Sequence, residues 1–316
     1  MASATKTQPK IHVLFSFGWH SGGFGKVAKS VDAFKPHVYA MEASLLTRGE
    51  RAGQSSSLNS MISKAKEDPA AKKQMLGNIP PCYAFQKGEI SHLIDSKNRI
   101  AVFPLEAHKG KYFGDPLVDL QDGQNEVFRL LYEDNIPLAI AKEMQAYQKF
   151  AEVGIRSDRN MVENIATLRQ DILSQFSHLK NKETIRVFAR LGSAHTCAYV
   201  WAMEKYSNNP RILLDRKFDP SFEFFPDEWI TRAISFGKPV KDDWLLRAAL
   251  TDIMQMANIA RLGFDKSCTL LKENAKVSKQ IPAGALVKIF KQSAWVRGRI
   301  SDWAVQVSNL ARKAVE

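Results

Sequence analysis

Ile11-His12-Val13-Leu14-Phe15-Ser16-Phe17-Gly18-Trp19-His20-Ser21-Gly22-Gly23-Phe24-Gly25 is the stretch on which the fold turns. Ile11 to Phe17 is β-branched and aromatic, short, and stops at a glycine, which is the pattern of a buried strand. Trp19 to Gly25 is a glycine-rich turn. Lys26 to Phe34 then carries Val27, Val31 and Phe34 at helical spacing, and Lys35-Pro36 closes it. His37 to Met41 is a second strand that ends at Glu42. Strand, turn, helix, strand is a βαβ unit, so a parallel pair with a right-handed crossover is expected.

The rest of the chain extends this pattern. Arg99 to Leu105 reads as a third strand, Thr184 to Leu191 as a fourth and Arg211 to Leu214 as the last. Ser44 to Pro81 is polar and suits a lid or insertion, with a charged helical piece from Ile62 to Met75. Asn125 to Tyr132 has helical character, and Ile136 to Ala141 is a short apolar run. Ile165, Leu168, Ile172 and Phe176 mark an amphipathic helix whose opening falls at Ser157-Asp158-Arg159-Asn160, with Asp158 suited to an N-cap. After Pro226 only helices are expected, including one from Gly284 to Ala314. Ile289, Val296, Ile300, Trp303, Val307 and Leu310 form its apolar stripe. The expected fold is therefore α/β, a central mostly parallel sheet flanked by helices over residues 10–225, with an all-helical C-terminal extension over 226–316.

Composition fits this division. The chain has 316 residues, 45% hydrophobic and 25% charged, enough for a large core. Cys82, Cys197 and Cys268 are widely spaced and form no C-x-x-C pair, which argues against a disulfide framework or a cysteine zinc cage. No stretch approaches the ~20 apolar residues of a membrane span and no secretory h-region is visible, so a cytoplasmic location is expected. Formal net charge is +12, and from Arg261 onward eleven Lys/Arg face four Asp/Glu. A basic helical tail of this kind suits either a solvated face or an anionic partner: nucleic acid, acidic lipid or an acidic protein surface. Trp295 with Lys291, Arg297 and Arg299 also fits a helix lying at a membrane surface.

Chemistry-bearing residues gather just beyond the expected strands, where open α/β sheets place their sites. His20 follows the first strand and Glu42 ends the second. A His–carboxylate pair can activate water as a general base, or both groups can hold a divalent metal that acidifies water. His195, in Gly192-Ser193-Ala194-His195, repeats the position of His20 past the fourth strand. Glu106 lies beyond the third strand, with Glu143 as its substitute. Arg159 and Asn160 would add a cation and an amide able to hold an oxyanion. A dinucleotide-binding loop would resemble residues 18–25, with Glu42 about 20 residues on, but the glycine spacing does not match G-x-G-x-x-G.

These motifs together resemble the superfamily of TraB/PrgY pheromone-shutdown proteins, TIKI proteases, ChaN-like proteins and erythromycin esterases, which shares two G-x-x-H motifs and a pair of glutamates. The second motif is complete at Gly192–His195; in the first, Phe17 stands in place of the glycine before His20. Val38-Tyr39-Ala40-Met41-Glu42 is similar to the strand-terminal acid, and Asp158-Arg159-Asn160-Met161-Val162-Glu163-Asn164 to the helix that follows. The likeness spans about Lys10 to Leu214. It implies an ester or peptide hydrolase, with His20 as general base or metal ligand, Glu42 as its orienting or co-ligating partner, His195 as a second ligand or proton donor, and Mn, Co or Zn as the metal. It casts Arg159 as the group that stabilises developing charge. Two other readings are a non-catalytic α/β protein whose tail binds an anion, and a dinucleotide-dependent oxidoreductase.

Overall fold

A computed structural model describes residues 8–18, 24–41, 48–79, 84–105, 116–219, 224–268, 270–294 and 299–315. Its elements begin with β1 (Lys10–Gly18), α1 (Gly25–Phe34), β2 (Val38–Met41), α2 (Arg48–Glu67), α3 (Pro69–Gly77), α4 (Ala84–Asp95) and β3 (Ala101–Pro104). They continue with α5 (Pro116–Tyr132), α6 (Ile136–Gln175), β4 (Thr184–Gly192), α7 (Thr196–Tyr206) and β5 (Ile212–Phe218). The last are α8 (Pro226–Ser235), α9 (Asp242–Leu262), α10 (Phe264–Cys268), α11 (Leu271–Gln280), α12 (Ala283–Ser293) and α13 (Ile300–Lys313). The fold is α/β with a helical C-terminal region, as expected. The chain divides into two compact units, the first Met1–Phe113 with Arg156–Phe222, the second Gly114–Ile155 with Glu223–Glu316.

In the first unit the strands form one all-parallel sheet in the order β3-β2-β4-β1-β5. The expected adjacency of β1 and β2 is corrected: β4 lies between them. The reason is extent of pairing. β4 matches β1 residue for residue from Lys10↔Thr184 to Gly18↔Gly192, whereas β2 has only four residues to offer. Both faces of the sheet are covered, which is why its strands read as nearly continuous apolar runs. On one face Val13, Phe15, Phe17, Val187 and Leu191 pack with Met161, Ile165, Leu168 and Ile172 of α6 and Ala198 and Ala202 of α7. On the other Tyr39, Val102 and Phe188 pack with Val27 and Val31 of α1, Ile62 of α2 and Leu93 of α4.

α1 and α7 thus lie on opposite faces. The chain leaves β1 toward β2 on one side and leaves β4 toward β5 on the other. The carboxyl ends of β1 and β4 are therefore a topological switch point, the place where such sheets bind ligands. β5, at the sheet edge, runs past the expected Leu214 to Phe218. Its exposed Asp215, Arg216 and Lys217 are the charges that keep a free edge from pairing.

Several local expectations are also revised. The polar stretch before Pro81 is helical in α2 and α3, the latter started by Asp68, which accepts the Ala70 N–H at 2.8 Å. No helix begins at Ser157: α6 is continuous from Ile136, because Pro137 sits in its first turn, where a missing N–H is harmless. The single helix expected over 284–314 is two. Arg299 is extended and its N–H donates to the Asp302 carboxylate at 3.1 Å, a capping box that starts α13 afresh.

The second unit is helical, built around α9. Leu250, Ile253 and Met254 of α9 pack with Trp303 and Val307 of α13, Leu286 and Phe290 of α12, and Leu131 of α5. The apolar stripe of the tail is thus packing: Ile289, Trp303 and Val307 are buried, while Ile300 is exposed and Val296 lies outside the described residues. No helix among the described residues is long and apolar enough to cross a membrane. The basic excess of the tail is offset within its own unit, since residues 114–155 and 223–316 together hold 18 Lys/Arg and 18 Asp/Glu. The net +12 belongs to the first unit.

This second unit buries carboxyl groups. Glu143 on α6 is 1% exposed, and neither of its carboxyl oxygens meets a hydrogen-bond partner among the described residues. Burial, and then the charge of Asp252, push it well above the usual carboxylate range. Asp252 on α9 accepts the Gln124 amide at 2.6 Å; desolvation, and then the Asp227 charge, push it up to about 8. An acid raised in the folded state holds a proton that the unfolded chain has already released, so its stabilising contribution is complete below the unfolded value and fades as pH rises through the folded one. The melting temperature of wild type should fall relative to Asp252→Asn from about pH 4 to about pH 8 and then run parallel to it. Parallel curves throughout that window would show that Asp252 ionises normally.

Candidate functional site

The site is built from the carboxyl ends of β4, β1 and β5. β4 stops at Gly192, and Ser193–His195 forms one tight turn before α7 begins. That turn brings the His195 ring back to α6, where its Nδ1 lies 2.5 Å from the Asp158 carboxylate. Both side chains are largely sheltered, at 14% and 4% exposure. Asp158 is therefore not an N-cap but the partner of His195. A carboxylate on Nδ1 fixes the tautomer and the ring plane, so Nε2 becomes the nitrogen for base chemistry or metal ligation.

Helical phase separates Asp158 from its neighbour. Asp158 lies on the same stripe as Met161, Val162 and Ile165, which face the sheet, while Arg159 is turned about 100° away. The Arg159 guanidinium is exposed and sits 5.7 Å over the Trp201 ring of α7. With Val162, Glu163, Glu204 and Lys205 these two line an open hollow of about 480 Å³. Asn160 is half-buried. His20, Glu42 and Glu106 lie outside the described residues. Glu143 is the buried acid of the second unit. Among the described residues no three His, Cys, Asp or Glu side chains gather as a metal site.

A second polar group lies under the same strand ends. Arg190 of β4 is 1% exposed. It donates from Nη1 to the Ser16 carbonyl at 3.2 Å and from Nη2 to the Asp219 carboxylate at 3.0 Å. Its guanidinium also faces the Phe85 ring at 4.8 Å. Asp219 follows β5 directly and is anchored by its own N–H to the Phe17 carbonyl at 3.0 Å. On the neighbouring strand Tyr39 donates to Glu89 at 2.6 Å, and burial followed by the Glu89 charge holds its phenol neutral.

Gly18 makes this arrangement possible. A Cβ there would come within 1.8 Å of an Asp219 oxygen and 2.8 Å of Arg190 Nη2. Neither Arg190 nor Asp219 is among the candidate residues read from the sequence. Asp219 is an acid immediately past β5, but the strand was expected to end at Leu214, which hid the likeness to Glu42 and Glu106.

Comparison of the chain with protein-family models, with curated proteins and with solved structures gave no match.

A buried guanidinium stripped of its carboxylate is costly. Asp219→Ala should lower unfolding free energy by roughly 3–5 kcal/mol in urea denaturation. Gly18→Ala should lower it by about 1–3 kcal/mol through overpacking against the same pair. Near-neutral values for both would mean that the ion pair is solvated and not a structural element of the site.

Proposed function

We propose that the chain is a hydrolase of the TraB/TIKI/erythromycin-esterase type, acting on an ester or peptide bond. The observation that carries this reading is the Asp158–His195 pair beside the switch point of the sheet. Asp158 orients the imidazole and stabilises its protonated form; His195 Nε2 takes a proton from water as it attacks the carbonyl. With a divalent metal such as Mn, Co or Zn, His195 Nε2 would instead be a ligand beside His20 and Glu42 and would not act as the base. Bound there, the metal would acidify the attacking water and polarise the carbonyl. A His ligand backed by a carboxylate on its other nitrogen is the usual arrangement in such centres. Glu106 would supply the second carboxylate.

The test is a panel of ester and peptide substrates, assayed with chelator and with each of the three metals. His195→Ala should abolish turnover in a chain that still folds cooperatively, though with a lower melting temperature because the sheltered Asp158 carboxylate loses its partner; His20→Ala should likewise abolish turnover. Asp158→Asn should lower kcat by about 10²–10⁴-fold, since it leaves the ring in place but favours the wrong tautomer. Arg159→Ala should cost far less than either, because the guanidinium stacks on Trp201. Full activity in His195→Ala would end the proposal.

A further inference from the structure

The helical unit contains a second hollow whose chemistry is unlike that of the sheet. It lies between α8 and the start of α9 and encloses about 410 Å³. Its walls are the rings of Phe224, Trp229, Phe236 and Trp244, and the charged groups among its lining residues are Arg232 and Lys238. All four rings are only half-buried, so the aromatic surface surrounds an opening and does not close over it. Concave, ring-lined space of this size with a few polar groups at its edge is the usual form of a small-ligand site.

Cations are interleaved with these rings. The Arg232 guanidinium lies 4.8 Å from the Phe224 ring and 5.6 Å from that of Phe236. Lys241 is 5.4 Å over Trp244, and Lys279 is 5.8 Å over both Trp229 and Phe225. Trp229 and Trp244 stand 5.7 Å apart at a 53° tilt, leaving their faces inclined to one another. Two nearby acids are engaged within the fold: Glu228 accepts the Phe225 N–H at 2.7 Å, and Asp243 accepts Arg247 Nε at 3.2 Å. The wall that a ligand would meet is therefore aromatic and cationic, with no carboxylate among its lining residues.

Such a wall selects a flat ring that carries negative charge. Aromatic side chains stack on any nucleobase, and a guanidinium and an ammonium at the rim meet a phosphate. An acyl chain would offer the rings no planar partner, and an uncharged ring would bring no charge to the positive rim at Arg232 and Lys238. From the residues lining this hollow, we infer that it binds a phosphorylated nucleobase, either as a free nucleoside monophosphate or as one residue of a single strand. This inference is independent of the hydrolase reading, since it uses none of the strand-end residues.

The test is calorimetric titration of the full chain with AMP, adenosine, laurate and a single-stranded oligonucleotide of about ten residues. AMP should bind, and adenosine should bind at least about tenfold more weakly. Lys238→Glu should weaken AMP by about tenfold while leaving the ligand-free melting temperature unchanged, and Arg232→Gln should weaken it about as much in a chain that is still folded. Trp244→Phe should retain binding but remove part of the ligand-induced change in tryptophan fluorescence. An oligonucleotide that binds more tightly than AMP, with affinity falling as salt rises, identifies the strand as the source; equal or weaker binding identifies the free nucleotide. No heat or thermal shift with either nucleotide at millimolar concentration would overturn the inference. So would equal affinity for adenosine, preference for laurate, or undiminished AMP binding in both charge variants.

Discussion

The pairing of β1 with β4 is the constraint on which the first unit rests. It joins two nine-residue strands that are 174 positions apart, in unbroken register from Lys10↔Thr184 to Gly18↔Gly192. β1 is hydrogen-bonded on its other edge to β5, so it is interior on all sides. Such a strand tolerates little polarity. Its His12 is satisfied by Asp215 at 2.7 Å, and Ser16 is the other polar side chain in its interior. Bringing these segments together requires closing a long loop before the contacts reward it, which favours apolar runs able to hold the pair once formed. The register also ends in two glycines side by side, so the chain can turn away in opposite directions at one point.

That geometry explains why a full charge is buried beneath the strand ends. An isolated guanidinium in a sheet interior would be prohibitive. Arg190 is accommodated because the close approach at Gly18 admits Asp219, because the Ser16 carbonyl accepts a second bond, and because the Phe85 ring faces its flat side. The same three partners come from β1, α4 and the end of β5. The ion pair therefore reports whether all these elements are assembled, which a purely apolar contact would do less selectively.

The α/β class, the parallel sheet and the helical C-terminus were legible in the sequence because each depends on local pattern: short β-branched runs, 3.6-residue stripes, and glycines between them. Strand order was not. Nothing in the βαβ unit at Ile11 to Met41 reveals that Thr184 to Gly192 inserts between its two strands, since that choice is made by the length and apolarity of a distant segment. Breaks inside helical patterns were equally hidden. Arg299 starts α13 through Asp302, three residues on, a capping signal carried by an acid that is ordinary on any helix surface. His195 was legible from its position after a strand, while its partner Asp158 was given the wrong local role because the helix was expected to open at Ser157, 21 residues after α6 begins at Ile136.

The length of α6 matters to the chemistry for a further reason. A helix that began at Ser157 would leave Asp158 in its first, frayed turn, where its carboxylate would be spent on backbone N–H groups. In mid-helix those donors are already paired, and the side chain is free to project along the stripe that carries Met161, Val162 and Ile165 onto the sheet. Asp158 is one turn beyond the last of these contacts, at the level where β4 ends. Its position is thus set by the packing of the stripe and not by a loop. The 100° between successive residues then dictates that Arg159 faces outward to Trp201. A single sequence position separates a carboxylate buried against an imidazole from a cation on the surface, and the phase of the apolar stripe decides which is which.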